Sequence, residues 1–166
     1  MPNDFEIAVS KLKGAEEAAA AAHPGSCSHA VWAVIKEYVP DQPYMTANAL
    51  VHFLEGSPKW KLVQPAELAG LANQGILVVG GKTESGNGHV IAVYPGEMKP
   101  AGGYSYTKDG KTIKMPPRGL YARAMSTSLG GWAGAKSVGD KTVWDSWAND
   151  AKFKQVKFWR YDPEGK

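Results

Sequence analysis

The hydrophobic pattern of the chain changes period near Gly75, and that change restricts the fold more than any other feature. Before it, apolar residues recur at steps of three and four, the spacing of one helix face. After it come short, continuous apolar runs rich in β-branched residues, which suit buried strands. Helices first and strands later predict an α+β chain in which N-terminal helices pack on a central antiparallel β-sheet.

The elements can be placed with some detail. Phe5, Ala8, Leu12, Ala15 and Ala19 form the stripe of a helix from Phe5 to Ala22, stopped by His23-Pro24-Gly25. Ser26 is a suitable N-cap for a second helix bearing Ala30, Val31, Val34, Ile35 and Tyr38 on one face and ending near Pro40. Thr46 caps a third, whose Leu50, Val51 and Leu54 point inward and whose end is Gly56. A fourth follows Pro65, packs Leu68 and Leu71, and closes at Gly75. Strands are expected over 75–81, 88–96, 118–128 and 153–162. The stretch 95–119, rich in Gly, Pro and Lys, reads as a long excursion with a small hairpin around Asp109-Gly110. Residues 128–147 read as loops.

Composition sets limits on partners and chemistry. A chain of 166 residues is expected to form one domain, 1–166, and can bury about 70% of its unfolded surface without a structural metal. One cysteine excludes an internal disulfide, so the fold suits reducing and oxidising compartments alike. Nineteen Lys and Arg are scattered among sixteen acids, for a net charge of +3. That balance suits an anionic partner such as cell wall, but it forms no stripe for nucleic acid. Charged residues interrupt the first twenty positions, so neither a signal peptide nor membrane insertion is expected. No HExxH, paired CxxC or His-acid cluster occurs, so neither a metal nor another cofactor is expected.

The lone cysteine, Cys27, falls at the start of the second helix. There its sulfur would lie near unpaired backbone amides and the positive end of the helix dipole, which favour the nucleophilic thiolate. A buried apolar cysteine is the plain alternative. His89 opens the strand "GHVIAVYPG" 62 positions later, sharing a face with Ile91 and Val93. If that face meets the Cys27 helix, the imidazole can take the thiol proton and give a thiolate–imidazolium pair. A strand-end histidine satisfied by water would look the same. A helix-start cysteine followed by a strand histidine is the chain order of papain-like hydrolases. His29 points to another helix face, His52 lies mid-helix, and His23 sits in the breaker turn.

A group to orient the histidine would come from the next strand, where the Ala124 carbonyl, Ser126 and Ser128 are available; Ser126 is the assigned third position. The backbone amides of Cys27 and Ser28 are the simplest oxyanion donors. Ser26, Asn48, Asn87 and Gly88 are candidate substrate-binding residues, although Asn48 also suits its helix start. Trp60, Trp132, Trp144 and Trp147 could stack on sugar rings or fill a core. The run "KFKQVKFWR" could meet an anionic wall or be an edge strand guarded by lysines.

The stretches "SCSHAVWAVIKEYVP", "ANALVHFLEGSPKWKLV", "LANQGILVVGGK", "GHVIAVYPG" and "AKSVGDKTVWDSW", in that order over about residues 26–160, resemble the peptidoglycan amidase effectors of bacterial type VI secretion, a branch of the NlpC-type papain-like cysteine peptidases. The resemblance implies Cys27 as nucleophile and His89 as base. It also implies cleavage of a cell-wall stem peptide, either between D-glutamate and meso-diaminopimelate or at the diaminopimelate–D-alanine crosslink. The protein would be made in the bacterial cytoplasm, delivered by a secretion apparatus, and active in the periplasm of a target bacterium. It would be a monomer when free and would have a cognate immunity protein that plugs the Cys27 groove. The 95–119 excursion departs from the pattern and could wall the groove. A non-catalytic wall-binding module and a phage-type lysin are the alternative functions.

Overall fold

The computed structural model describes residues 3–165. Helix α1 (Asp4–Ala22) begins in a capping box: Asn3 Oδ1 accepts from the Glu6 amide at 2.8 Å, and a Glu6 carboxylate oxygen accepts from the Asn3 amide at 3.2 Å. Its buried stripe is Leu12, Glu16, Ala19 and Ala20. The expected stripe is corrected at its first turn, where Phe5 is 60% exposed, and at its centre, where a carboxyl group enters the core beside the half-buried Ala15.

Helix α2 (Cys27–Lys36) buries Ala30, Val31, Val34 and Ile35, and α3 (Ala47–Gly56) buries Leu50, Val51 and Leu54, as their spacing predicts. Thr46 caps α3 by accepting from the Ala49 amide at 3.4 Å. A 3-10 turn over 65–67 leads into α4 (Leu68–Ala72), and Gly75 takes a left-handed φ of 77° where the pattern changes to strands. A side chain at Gly75 would also collide with Ala8 of α1, so only glycine fits this close approach.

Six strands form one antiparallel sheet: β1 (Trp60–Val63), β2 (Val78–Lys82), β3 (His89–Pro100), β6 (Leu120–Ser126), β7 (Ser137–Thr142) and β8 (Lys157–Tyr161). Their order is β1-β8-β2-β3-β6-β7, so β8, β2, β3 and β6 lie inside the sheet and β1 and β7 are its edges. A separate two-stranded arm consists of β4 (Tyr104–Lys108) and β5 (Lys111–Met115). Short α5 (Asp150–Phe153) precedes β8. Helices α1, α2 and α4 pack on β3, while α3 packs across β1, β2 and β3. Val90 to Val93 are therefore fully buried.

Several expectations change. The strand expected over 153–162 starts at Lys157, after α5, and β8 is not a guarded edge because β1 covers it. β1 arises from a stretch with no expected element, and β7 from one read as loop. The excursion begins later than Pro95, since β3 runs on to Pro100 through a register shift between Tyr94 and Lys99. The arm does turn at Asp109-Gly110, with φ of 52° and 75°, the signs a two-residue hairpin loop requires.

Candidate active site

A groove of about 770 Å³ opens where the start of α2 meets the start of β3. Cys27 and His89, the first residues of those elements, both line it. Ser26 sets the helix start in place: its hydroxyl accepts from the His29 amide at 3.3 Å and bonds His29 Nδ1 at 2.7 Å. His29 turns away from Cys27 and stacks on Tyr44, with ring centres 4.1 Å apart.

The Cys27 thiol is poised differently from the expected resting thiolate. Burial pushes its pKa up, and the Val90, Ser28 and Cys27 amides pull in the opposite direction without winning. Those three N–H groups thus face the sulfur from both elements, and two of them are the expected oxyanion donors. His89 is buried, at 9% exposure, with Trp147 and Trp132 edge-on at ring-centre distances of 5.1 and 5.9 Å. Burial lowers its pKa to about 4. Both shifts favour the neutral thiol and the neutral imidazole over the expected thiolate–imidazolium pair, and desolvation is the largest cause of each.

Ser126 meets the histidine as assigned. Its hydroxyl lies 3.1 Å from His89 Nε2 and donates to the Ala135 carbonyl at 3.2 Å. A serine hydroxyl has one proton, so with that proton on Ala135 the oxygen can only accept from the ring. Nε2 therefore carries the hydrogen and Nδ1 holds the free lone pair, the tautomer a general base needs. The two other orienting candidates are occupied elsewhere. The Ala124 carbonyl accepts from Ser137 Oγ at 2.7 Å, and Ser128 Oγ accepts from the Gly130 amide at 3.0 Å.

The substrate-binding candidates divide by what their side chains already do. Asn48 lines the groove, yet its amide donates to the Glu84 and Gly86 carbonyls, both at 2.9 Å, and accepts from the Glu84 amide at 3.2 Å. It clamps the loop that delivers His89 and has no donor left for a ligand. Gly88 leaves space for that clamp, since a side chain there would run into Asn48 Oδ1. Ser26 is occupied by its cap. Asn87 is exposed on the groove wall, and among the described residues its side chain makes no hydrogen bond.

Trp60 and Trp144 are buried in the body, whereas Trp132 and Trp147 line the groove. Tyr44 was not anticipated: its hydroxyl bonds Ser28 Oγ at 2.7 Å and its ring walls the groove. The signal was its place two residues before the Thr46 cap, in the short connection leading back from α2. Lys108 of the arm and Leu129 of the loop after β6 also line the groove. Leu129 is 86% exposed and its side chain lies against Gly25, bridging toward the turn that precedes Cys27.

Among the described residues no group of three or more His, Cys, Asp or Glu could hold a metal ion, and no helix is long and apolar enough to cross a membrane. No protein-family model matches the chain, and no curated protein matches it.

Proposed function

We propose that the protein is a cysteine amidase of the NlpC-type papain-like class that hydrolyses an amide bond of the peptidoglycan stem peptide. The observation that carries this reading is the placing of Cys27 at the head of α2 and His89 at the head of β3 in one groove, the histidine backed by Ser126. Helix-borne cysteine first, strand-borne histidine second, on helices packed against an antiparallel sheet, is the papain-like order.

The chemistry follows from the neutral pair. As the Cys27 sulfur attacks the scissile carbonyl carbon, the thiol proton passes to His89 Nδ1, so charge develops only in the transition state. The carbonyl oxygen, becoming an oxyanion, accepts from the Cys27 and Ser28 amides. His89 then gives the proton to the leaving nitrogen as the C–N bond breaks, leaving a thioester. Water attacks the thioester carbon and loses a proton to His89; the C–S bond breaks, and the sulfur recovers that proton. Ser126 keeps Nε2–H engaged throughout.

The ordered motifs support a stem-peptide substrate, cut either between D-glutamate and meso-diaminopimelate or at the diaminopimelate–D-alanine crosslink. They support equally the role of an antibacterial type VI secretion effector, acting in the periplasm of a target cell and restrained by an immunity protein. Cys27→Ala and His89→Ala should each abolish release of new amines from purified peptidoglycan while circular dichroism stays native. Unchanged release in either variant overturns the mechanism. The aromatic lining of Tyr44, Trp132 and Trp147 favours a second reading, a wall-binding module without turnover. Retention on insoluble peptidoglycan with no fragments released selects it.

A further inference from the structure

The β4–β5 arm concentrates charge. Residues 95–119 contain Lys99, Lys108, Lys111, Lys114 and Arg118 against only Glu97 and Asp109, so this segment accounts for the whole net charge of +3 and the rest of the chain is balanced. Two of these cations are engaged with the body. Lys99 donates to the Asp140 carbonyl, and Arg118 pairs with Asp150 at 2.9 Å. Lys108, Lys111 and Lys114 have no ion pair among the described residues.

The pleat separates those three lysines. Tyr104, Tyr106 and Lys108 share one face of β4, and Lys111, Ile113 and Met115 share the facing side of β5. This face turns toward the body: both tyrosines, Ile113 and Met115 are half-buried, while Ser105, Thr107, Thr112 and Lys114 are exposed. It is anchored at its base, where buried Asp145 accepts from the Tyr104 hydroxyl at 2.6 Å and the Gly102 amide at 3.0 Å. The Asp145 carbonyl also accepts from Trp132 Nε1 at 3.1 Å, so one residue holds both the arm and the groove wall. At the tip, the Lys108 stem lies over Gly131, 3.5 to 3.7 Å from where a side chain there would begin. Lys108 thus lines the groove that contains Cys27 and His89.

Two features leave this corner short of negative charge. Lys108 stands directly across from Lys111, a like-charge pair that disfavours the hairpin unless an anion lies between or beside them. Glu84 is the acid that lines the groove, and its charge is already taken by Lys82 at 2.9 Å, with Lys152 at 4.0 Å. We propose that Lys108 is a specificity residue that takes a free carboxylate of the peptide substrate, with Lys111 reinforcing it, so that the groove prefers acidic peptides over their carboxamide counterparts. This rests on the amidase reading for its substrate. It adds a recognition element that the Cys27–His89 chemistry does not require.

The test uses two synthetic stem peptides that differ only in carrying free carboxylates or carboxamides. Wild-type protein should show a kcat/KM about tenfold higher for the acid form, as a charge-assisted contact provides, and the preference should shrink as ionic strength rises. Lys108→Gln should bring the ratio close to one. Lys114→Gln, on the outward face of the same arm, should keep it. Binding of both peptides to the Cys27→Ala protein, with and without Lys108→Gln, reads the same preference without turnover. Cleavage or binding without an acid preference overturns the proposal, as does a preference that survives Lys108→Gln or is lost equally in Lys114→Gln. Acid-selective binding with no cleavage by the wild type supports Lys108 while removing the amidase reading.

Discussion

Ser126 decides which nitrogen of His89 is free to take a proton. Because its hydroxyl is committed to Ala135, it can only accept from Nε2–H, which leaves the lone pair on Nδ1. Without it the buried ring could adopt either tautomer, one of which offers no lone pair on the Nδ1 side. For the proposed amidase, Ser126→Ala should therefore lower kcat by about tenfold or more, on the order expected for mispositioned acid–base groups, with KM little changed. Ser126→Thr, which keeps the hydroxyl, should recover much of the loss. A matched fall in both variants would point to packing instead of tautomer control. At this scale the sequence was informative about Cys27, His89 and Ser126 because each has a distinctive place at an element end. It was misleading about Asn48, since a side chain's hydrogen bonds to a distant loop leave no local trace.

The elements that build the site are joined by such cross-links. Helix α3 has its own cap in Thr46, so Asn48 is left to hold the 83–88 loop through three hydrogen bonds. Asn48→Ala should cost about 2 kcal/mol in urea unfolding, near the net worth of those bonds. It should also speed amide exchange selectively at residues 84–88, leaving α3 protected; uniform loss of protection would mean that the helix depends on it. β8 shows why strand order escaped the sequence. Its Lys157 suits an edge, yet β1, only four residues long, pairs along it from Trp60 to Val63. A strand that short carries too little periodicity to be distinguished from loop.

Over the whole molecule, stability is pulled by two buried groups with opposite dependence on pH. Burial holds the His89 pKa near 4, below its unfolded value of about 6.5. The unfolded chain then takes the proton first, so stability present above pH 6.5 is lost as pH falls toward 4, by up to about 3 kcal/mol. Glu16 acts the other way. It is fully buried, among the described residues neither of its oxygens nor the nearby Tyr38 hydroxyl has a hydrogen-bond partner, and burial, aided by Glu17, raises its pKa well above the usual range. Its contribution is intact below about pH 4.5 and is lost as pH rises through its folded pKa. Glu16→Met should stabilise the protein by about 2 kcal/mol at pH 7.5 and by much less at pH 4.5. Equal gains at both would mean that packing, not ionisation, is responsible. The sequence by itself determined the order of helices and strands, the inward faces of α2 and α3, the Asp109-Gly110 turn, and the two element ends that bear sulfur and imidazole, because period, caps and turn residues act between near neighbours. The tertiary structure alone decided the strand order, the desolvation of Cys27 and His89, the burial of Glu16, and the placing of Lys108 above the groove. Each of these depends on desolvation or on contacts between residues far apart in the chain, and such contacts have no period to read.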